Sequence, residues 1–189
     1  MKAEINKIWV RFCCFPWELG HNSWYPDWMK ELETPDLEVL SQLYITELSH
    51  YFGLTHPNVF SPPPLLVDYI HTRYTQPEKF DALSEQVLFQ RSSYEMKSIE
   101  SDWAFSFSKG LPSGLLLQAC PEPQTALNHL TAYWLQTRFP VFWPHTRLLL
   151  PKAAAESPLP STLSFCDKKI NLFFLSLIKK VSTCYEYNR

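Results

Sequence analysis

Apolar residues recur at intervals of three and four along most of the chain, the spacing that places them on one face of an α-helix. The clearest helix is predicted between Thr34 and Gly53, with Thr34 as its N-cap and Pro35 in its first turn. Gly53 is expected to end it. The predicted apolar face of this helix comprises Leu37, Leu40, Tyr44, Leu48 and Tyr51.

Prolines and glycines divide much of the remaining chain into further helices. Four helices are predicted in the ranges Pro62 to Thr75, Pro77 to Leu88, Ser92 to Lys109, and Pro123 to the residue before Pro140. A last helix follows Asp167, with lysines opposite a broad apolar face. That face comprises Ile170, Phe173, Phe174, Leu177, Ile178 and Val181, and the lysines are Lys168, Lys169, Lys179 and Lys180.

Other segments follow a different pattern. Phe15 to Leu32 is aromatic and irregular, and Pro151 to Pro160 has the composition of an exposed loop. Apolar and polar residues alternate over Lys7 to Phe12, which could therefore pair as a short strand with Thr146 to Leu150. The sequence thus predicts a mainly α protein, an irregular bundle of short helices in one domain over residues 1–189, with this small two-stranded β element as an option.

Composition narrows the functional classes. Hydrophobic residues make up 46% of the chain and charged residues 19%, which is typical of a folded domain. The four glycines lie far apart, so a glycine-rich phosphate-binding loop is not expected. The net charge is −2, with lysine and arginine scattered, so nucleic acid is not an expected partner.

Charged residues near the N-terminus, among them Lys2, Glu4 and Lys7, interrupt any apolar export signal, so no signal peptide is predicted. Apolar runs such as Leu172 to Ile178 are much shorter than the roughly 20 residues that span a bilayer. Five cysteines, with Cys13 and Cys14 adjacent, favour free thiols in a reducing cytosol.

Candidate catalytic groups are few and isolated. No two histidines stand four residues apart, as a helical zinc site would need. Asp68 and His71 share a predicted helix face, and Arg11 could lower the pKa of Cys13 or Cys14, but a solvated pair and packed thiols are the simpler interpretations. The sequence predicts no enzyme activity, no cofactor and no metal site.

Seven tryptophans are a large number for a chain of 189 residues. Tryptophan provides a large rigid surface with one polar atom, and it serves both protein cores and interface hot spots. Trp17, Trp24 and Trp28 lie together in the irregular segment. For these three residues the sequence leaves both roles open.

Several short motifs follow one another in a fixed order along the chain. Val10 to Cys13 is followed by the aromatic segment, by several short helices and by a tryptophan-bearing helix that precedes Arg147 to Pro151. This order resembles that of the SctK family of bacterial type III secretion. The closing stretch, Leu172 to Val181, is similar to that family's C-terminal helix.

This resemblance implies a non-catalytic, cytoplasmic adaptor of the sorting platform, peripheral at the inner membrane and active in protein transport. It implies two partners, the inner-membrane ring protein (SctD-like) and the pod protein (SctQ-like), with membrane contact only through the ring. Six residues are assigned to protein interaction: Arg11, Trp17, Trp24, Trp28, Trp143 and Arg147. The alternative is a secretion chaperone or a peripheral membrane protein that uses the lysine-edged C-terminal helix.

Overall fold

The computed structural model describes residues 2–54, 61–89, 98–110, 122–157 and 167–186, and the regular structure in these ranges is helical. The predicted mainly α class is confirmed. The α-helices are α1 (Lys2–Cys14), α2 (Asp27–Lys30), α3 (Thr34–Leu43), α4 (Ile45–Tyr51), α5 (Pro64–Thr75), α6 (Pro77–Phe89), α7 (Ser98–Ser108), α8 (Pro123–Arg138), α9 (Trp143–Thr146), α10 (Lys152–Glu156) and α11 (Asp167–Glu186). Short 3₁₀ helices occupy Pro16–Leu19, Asn22–Trp24, Pro140–Phe142 and Arg147–Leu149.

The chain divides into two compact units. Unit 1 comprises Met1–Val67 and Leu135–Pro158, and unit 2 comprises Asp68–Trp134 and Leu159–Arg189. This division does not show whether the two units fold independently. The single domain over residues 1–189 therefore stays a prediction.

The core of unit 1 forms around Trp17, which is fully buried. Residues of the irregular N-terminal segment, of α2 to α4 and of the later 3₁₀ helix pack together there. The buried members are Trp17, Trp24, Met29, Leu37, Leu48, Phe52, Leu54 and Leu148.

The predicted β element is wrong, because both of its segments are helical. In α1, Trp9, Phe12 and Cys13 are buried, whereas Val10 is 49% exposed. Burial at spacings of three and four is helical, and it outweighs the short alternation that suggested a strand. The other segment, Thr146 to Leu150, runs from the end of α9 through the 3₁₀ helix Arg147–Leu149, after a proline in the first turn of α9.

The helix predicted from Thr34 to Gly53 is bent into α3 and α4. Tyr44, between them, has φ −122° and ψ 34°, outside the helical region. The bend changes which residues are covered: Leu37 and Leu48 are buried as predicted, but Tyr44 and Tyr51 are exposed.

The loop predicted over Pro151 to Pro160 contains the five-residue helix α10, so that prediction is wrong for Lys152 to Glu156. Pro151 occupies the N-cap, and the alanines that follow have the highest helix propensity. Ala154 is buried, which ties this short helix to the rest of unit 1. The prolines from Pro158 onward lie outside the described residues.

The core of unit 2 is built on stacked aromatic rings. The ring of Trp134 stacks on Phe174 at 4.2 Å between centroids, and Tyr69 meets Trp134 edge-on at 5.4 Å. All six residues of the predicted apolar face of α11 are buried. This helix therefore contributes to the core of unit 2.

Truncation of the apolar face of α11 should unfold the protein more readily. We expect Phe174→Ala to lower the free energy of unfolding by about 3–5 kcal/mol, the usual cost of such a cavity. Leu175→Ala, on the exposed side of the same helix, should change it by less than about 0.5 kcal/mol. Urea unfolding followed by circular dichroism measures both, and equal effects would contradict the core assignment.

Candidate protein interface

The six residues assigned to protein interaction all belong to unit 1, but their exposure differs. Trp17 and Trp24 are buried, Trp28 is 55% exposed, and Trp143, Arg11 and Arg147 are half-buried. A partner cannot touch Trp17 directly in this conformation. Trp28 presents the largest accessible aromatic surface of the six.

Trp17 is fixed by polar and aromatic contacts. Its Nε1 donates to Oγ of Ser41 at 2.8 Å, and that hydroxyl donates to the Leu37 carbonyl at 2.7 Å. Its ring stacks on Phe52 at 5.6 Å with an interplanar angle of 12°. A buried indole N–H thus has a partner, which removes the main cost of burying tryptophan.

Trp24 and Arg147 come together in the same core region. Nε1 of Trp24 donates to the Leu150 carbonyl at 2.7 Å, and the Arg147 guanidinium lies 5.0 Å from the Trp24 ring centroid. Nη2 of Arg147 donates to the Phe52 carbonyl at 2.6 Å, and its Nε donates to the Pro144 carbonyl at 3.3 Å. The arginine therefore joins the end of α4 to the segment around α9.

Gly53 lies directly against the Arg147 guanidinium. Its φ is +65°, a left-handed conformation that favours glycine after a helix. A Cβ at this position would lie 3.2 Å from Nη2 of Arg147. The glycine predicted to end the helix thus also admits the guanidinium.

Arg11 binds two carboxylates. Its Nε lies 2.5 Å from Oε2 of Glu18, and its Nη2 lies 2.8 Å from Oε1 of Glu38. These groups line an open groove of about 440 Å³ between α1 and α3, together with Lys7, Val10, Phe15 and Gln42. Since both carboxylates are already paired with the arginine, the Arg11 group serves first to join α1 to α3.

Two buried polar groups show shifted proton affinity. Burial and the nearby Glu18 raise the pKa of Tyr25 to about 12, and the phenol donates to the Trp17 carbonyl. Burial lowers the pKa of His145, whose ring lies 5.9 Å from Phe12. Both residues are therefore neutral at pH 7 and act as packing groups.

The candidate catalytic residues do not form a reacting centre in the described part of the chain. No group of three histidine, cysteine or acidic residues there could hold a metal. Burial raises the pKa of Cys14, which disfavours the thiolate. Burial also raises the pKa of Asp68, and this effect is larger than the opposite effect of the nearby His71.

Sequence reasoning missed an exposed apolar surface on α3 and α4. Val39, Leu43, Tyr44 and Tyr51 are between 50% and 71% exposed. Helical periodicity assigned Tyr44 and Tyr51 to the covered face, because the bend at Tyr44 leaves no local signal. Val39 and Leu43 are four residues apart on α3, Tyr44 lies at the bend, and Tyr51 ends α4.

Comparisons of the chain with protein-family models, with curated proteins and with solved structures found no match. Within the described residues, every helix is too short or too polar to cross a bilayer.

Replacement of Arg147 by lysine tests its joining role. The ammonium group of lysine cannot bind two carbonyls and also lie over an indole ring, as the guanidinium does. We expect Arg147→Lys to lower the free energy of unfolding by about 1–3 kcal/mol. The exposed Arg138→Lys is the matched control and should change it by less than about 0.5 kcal/mol. Equal urea midpoints for the two variants would contradict this role.

His145 should make unit 1 sensitive to acid. Its pKa lies below the ordinary value of 6.5 in the folded state, so its stabilising contribution is complete above pH 6.5 and is lost as the pH falls below that value. His145→Gln should flatten the decline in unfolding free energy between about pH 7.5 and about pH 5. A decline as steep in the His145 variant as in the unmodified protein would contradict the prediction.

Proposed function

We propose that this protein is a non-catalytic adaptor of a type III secretion sorting platform, similar to the SctK family. It would bind the inner-membrane ring protein on one surface and the pod protein on another, at the cytoplasmic face of the inner membrane. No cofactor or metal is needed for this role.

The main support is the convergence of two motifs that carry the resemblance. Phe12, in the Val10 to Cys13 motif, contacts His145 next to the Arg147 to Pro151 motif. The aromatic segment between them in the sequence binds the second motif through backbone contacts: the amide of His21 donates to the Leu148 carbonyl at 2.7 Å. The two motifs thus belong to one folded unit, and this supports the proposal.

An adaptor needs two accessible binding surfaces, and each unit has exposed apolar residues of its own. Unit 1 exposes Trp28 and the α3 and α4 residues, and unit 2 exposes Tyr74, Phe105, Leu172 and Leu175. Apolar and aromatic side chains are the usual hot spots of protein interfaces. Two units with separate accessible residues suit a protein that holds two neighbours.

The peripheral membrane alternative has weaker support. An interfacial helix needs a broad apolar face to enter the lipid boundary. In α11 that face, from Ile170 to Val181, is buried in the core of unit 2, and from Asp167 to Ser182 the exposed apolar residues are Leu172 and Leu175. The lysines beside them would attract anionic lipid but would lack a sufficient apolar anchor.

Trp28 provides the sharpest test of the proposal because its substitution should leave the core intact. We expect Trp28→Ala to weaken binding to one of the two neighbours by about tenfold or more, the usual effect of an aromatic hot spot. Binding to the other neighbour should be unchanged. Affinity measurements with the purified ring domain and the purified pod protein give both values.

Phe105→Ala in unit 2 is the matched control, since Phe105 is an exposed aromatic residue far along the chain. It should leave the interaction that Trp28 supports unchanged. Circular dichroism should show that both variants retain the helical fold. If the unmodified protein bound neither neighbour, the adaptor proposal would be wrong.

A further inference from the structure

The outer face of α3 and α4 combines apolar residues with acidic ones. We define it by Asp36, Val39 and Leu43 on α3, by Tyr44 at the bend, and by Glu47 and Tyr51 on α4. The three α3 residues are at spacings of three and four, and the two α4 residues are four apart, so each set shares a face of its helix. All six side chains are exposed, with Leu43 the most exposed at 71%.

The surroundings of this face are strongly acidic. Between Glu31 and Glu47 the chain has five carboxylates and no lysine or arginine. One of the five, Glu38, is paired with Arg11. The other four are exposed: Glu31, Glu33, Asp36 and Glu47.

Exposed apolar residues are also frequent on this face. Single exposed apolar residues are normal on protein surfaces, but contiguous ones mark interaction sites. Here four of the thirteen residues from Val39 to Tyr51 are apolar or aromatic and at least half exposed. Two of them, Leu43 and Tyr44, lie at the bend, where the ends of both stripes meet.

From these observations we infer that the outer face of α3 and α4 binds a basic amphipathic helix of a partner protein. The apolar residues would receive that helix's apolar stripe, and the carboxylates would face its lysines or arginines. The face spans sixteen residues from Asp36 to Tyr51, about 24 Å of helix length. The inference does not rest on the secretion assignment, because it follows from exposure and charge alone.

The same charges disfavour two other occupants. An anionic membrane surface would be repelled by four exposed carboxylates. A second copy of the chain, paired through the same face about a two-fold axis, would place these carboxylates opposite one another. A positively charged partner would not be repelled by these carboxylates.

A designed peptide tests the inference directly. The probe is a fluorescent helical peptide of about 18 residues, five turns, with leucines on one face and lysines beside them. We expect saturable binding that weakens as sodium chloride rises from about 50 to about 300 mM. The same peptide with glutamates in place of the lysines should not bind.

Variants of the protein locate the site. Two double variants should each weaken binding about tenfold or more. One combines Val39→Ser with Leu43→Ser, and the other combines Asp36→Lys with Glu47→Lys. The matched controls in unit 2 are the exposed Leu172→Ser and Glu78→Lys, which should change the affinity by less than about twofold. Circular dichroism and urea unfolding check that every variant is folded.

Several outcomes would overturn the inference. These are equal binding of the lysine and glutamate peptides, or unchanged affinity in the Asp36 and Glu47 variant. Binding to phosphatidylglycerol vesicles that is lost in the Val39 and Leu43 variant would identify a membrane instead, and a dimer lost in that variant would identify a second copy. None of these results changes the Trp28 test, so the two proposals can fail separately.

Discussion

Unit 1 depends on the hydrogen bond that Arg147 donates to the carbonyl of Phe52, at the end of α4. The last carbonyls of a helix lack partners within it, and a buried carbonyl without a hydrogen bond costs stability. Arg147 donates to the Phe52 carbonyl across 95 residues of sequence and covers the Trp24 ring with the same guanidinium. Gly53 makes room for this approach by its left-handed backbone and its lack of a side chain. One charged group thus joins the N-terminal helices to the segment that follows α8.

The same arrangement decides which side of the N-terminal helices faces solvent. Trp17 and Trp24 are buried with the apolar side chains of unit 1, and Ser41 and the Leu150 carbonyl accept their indole protons, so that burial leaves neither N–H without a partner. With Leu37 and Leu48 packed around Trp17, the opposite sides of α3 and α4 have no place in the core. The bend at Tyr44 brings apolar residues to that outer side. The packing around Trp17 therefore determines both the fold of unit 1 and the residues that its candidate interface exposes.

Local sequence patterns predicted most of the helices, since periodicity and proline positions act within a few residues. The C-terminal helix and its core face agree with the structure from Ile170 to Val181. The strand prediction over Lys7 to Phe12 was wrong because six residues fit either period. The tryptophans could not be divided into buried and exposed, since the acceptor for Trp24 lies 126 residues away. Contacts of that range leave no trace in local periodicity.

Tryptophan density alone is therefore poor evidence for an interface in this protein. Two of the three clustered tryptophans stabilise unit 1, and only Trp28 remains accessible. The more informative sequence feature is the absence of lysine and arginine from Glu31 to Glu47, combined with apolar residues that the bend exposes. A helix face that served only solubility would not need Leu43 and Tyr44 exposed, and a face that served only burial would not have Asp36 and Glu47 exposed to solvent. The combination is explained by a partner that contributes both apolar contact and positive charge.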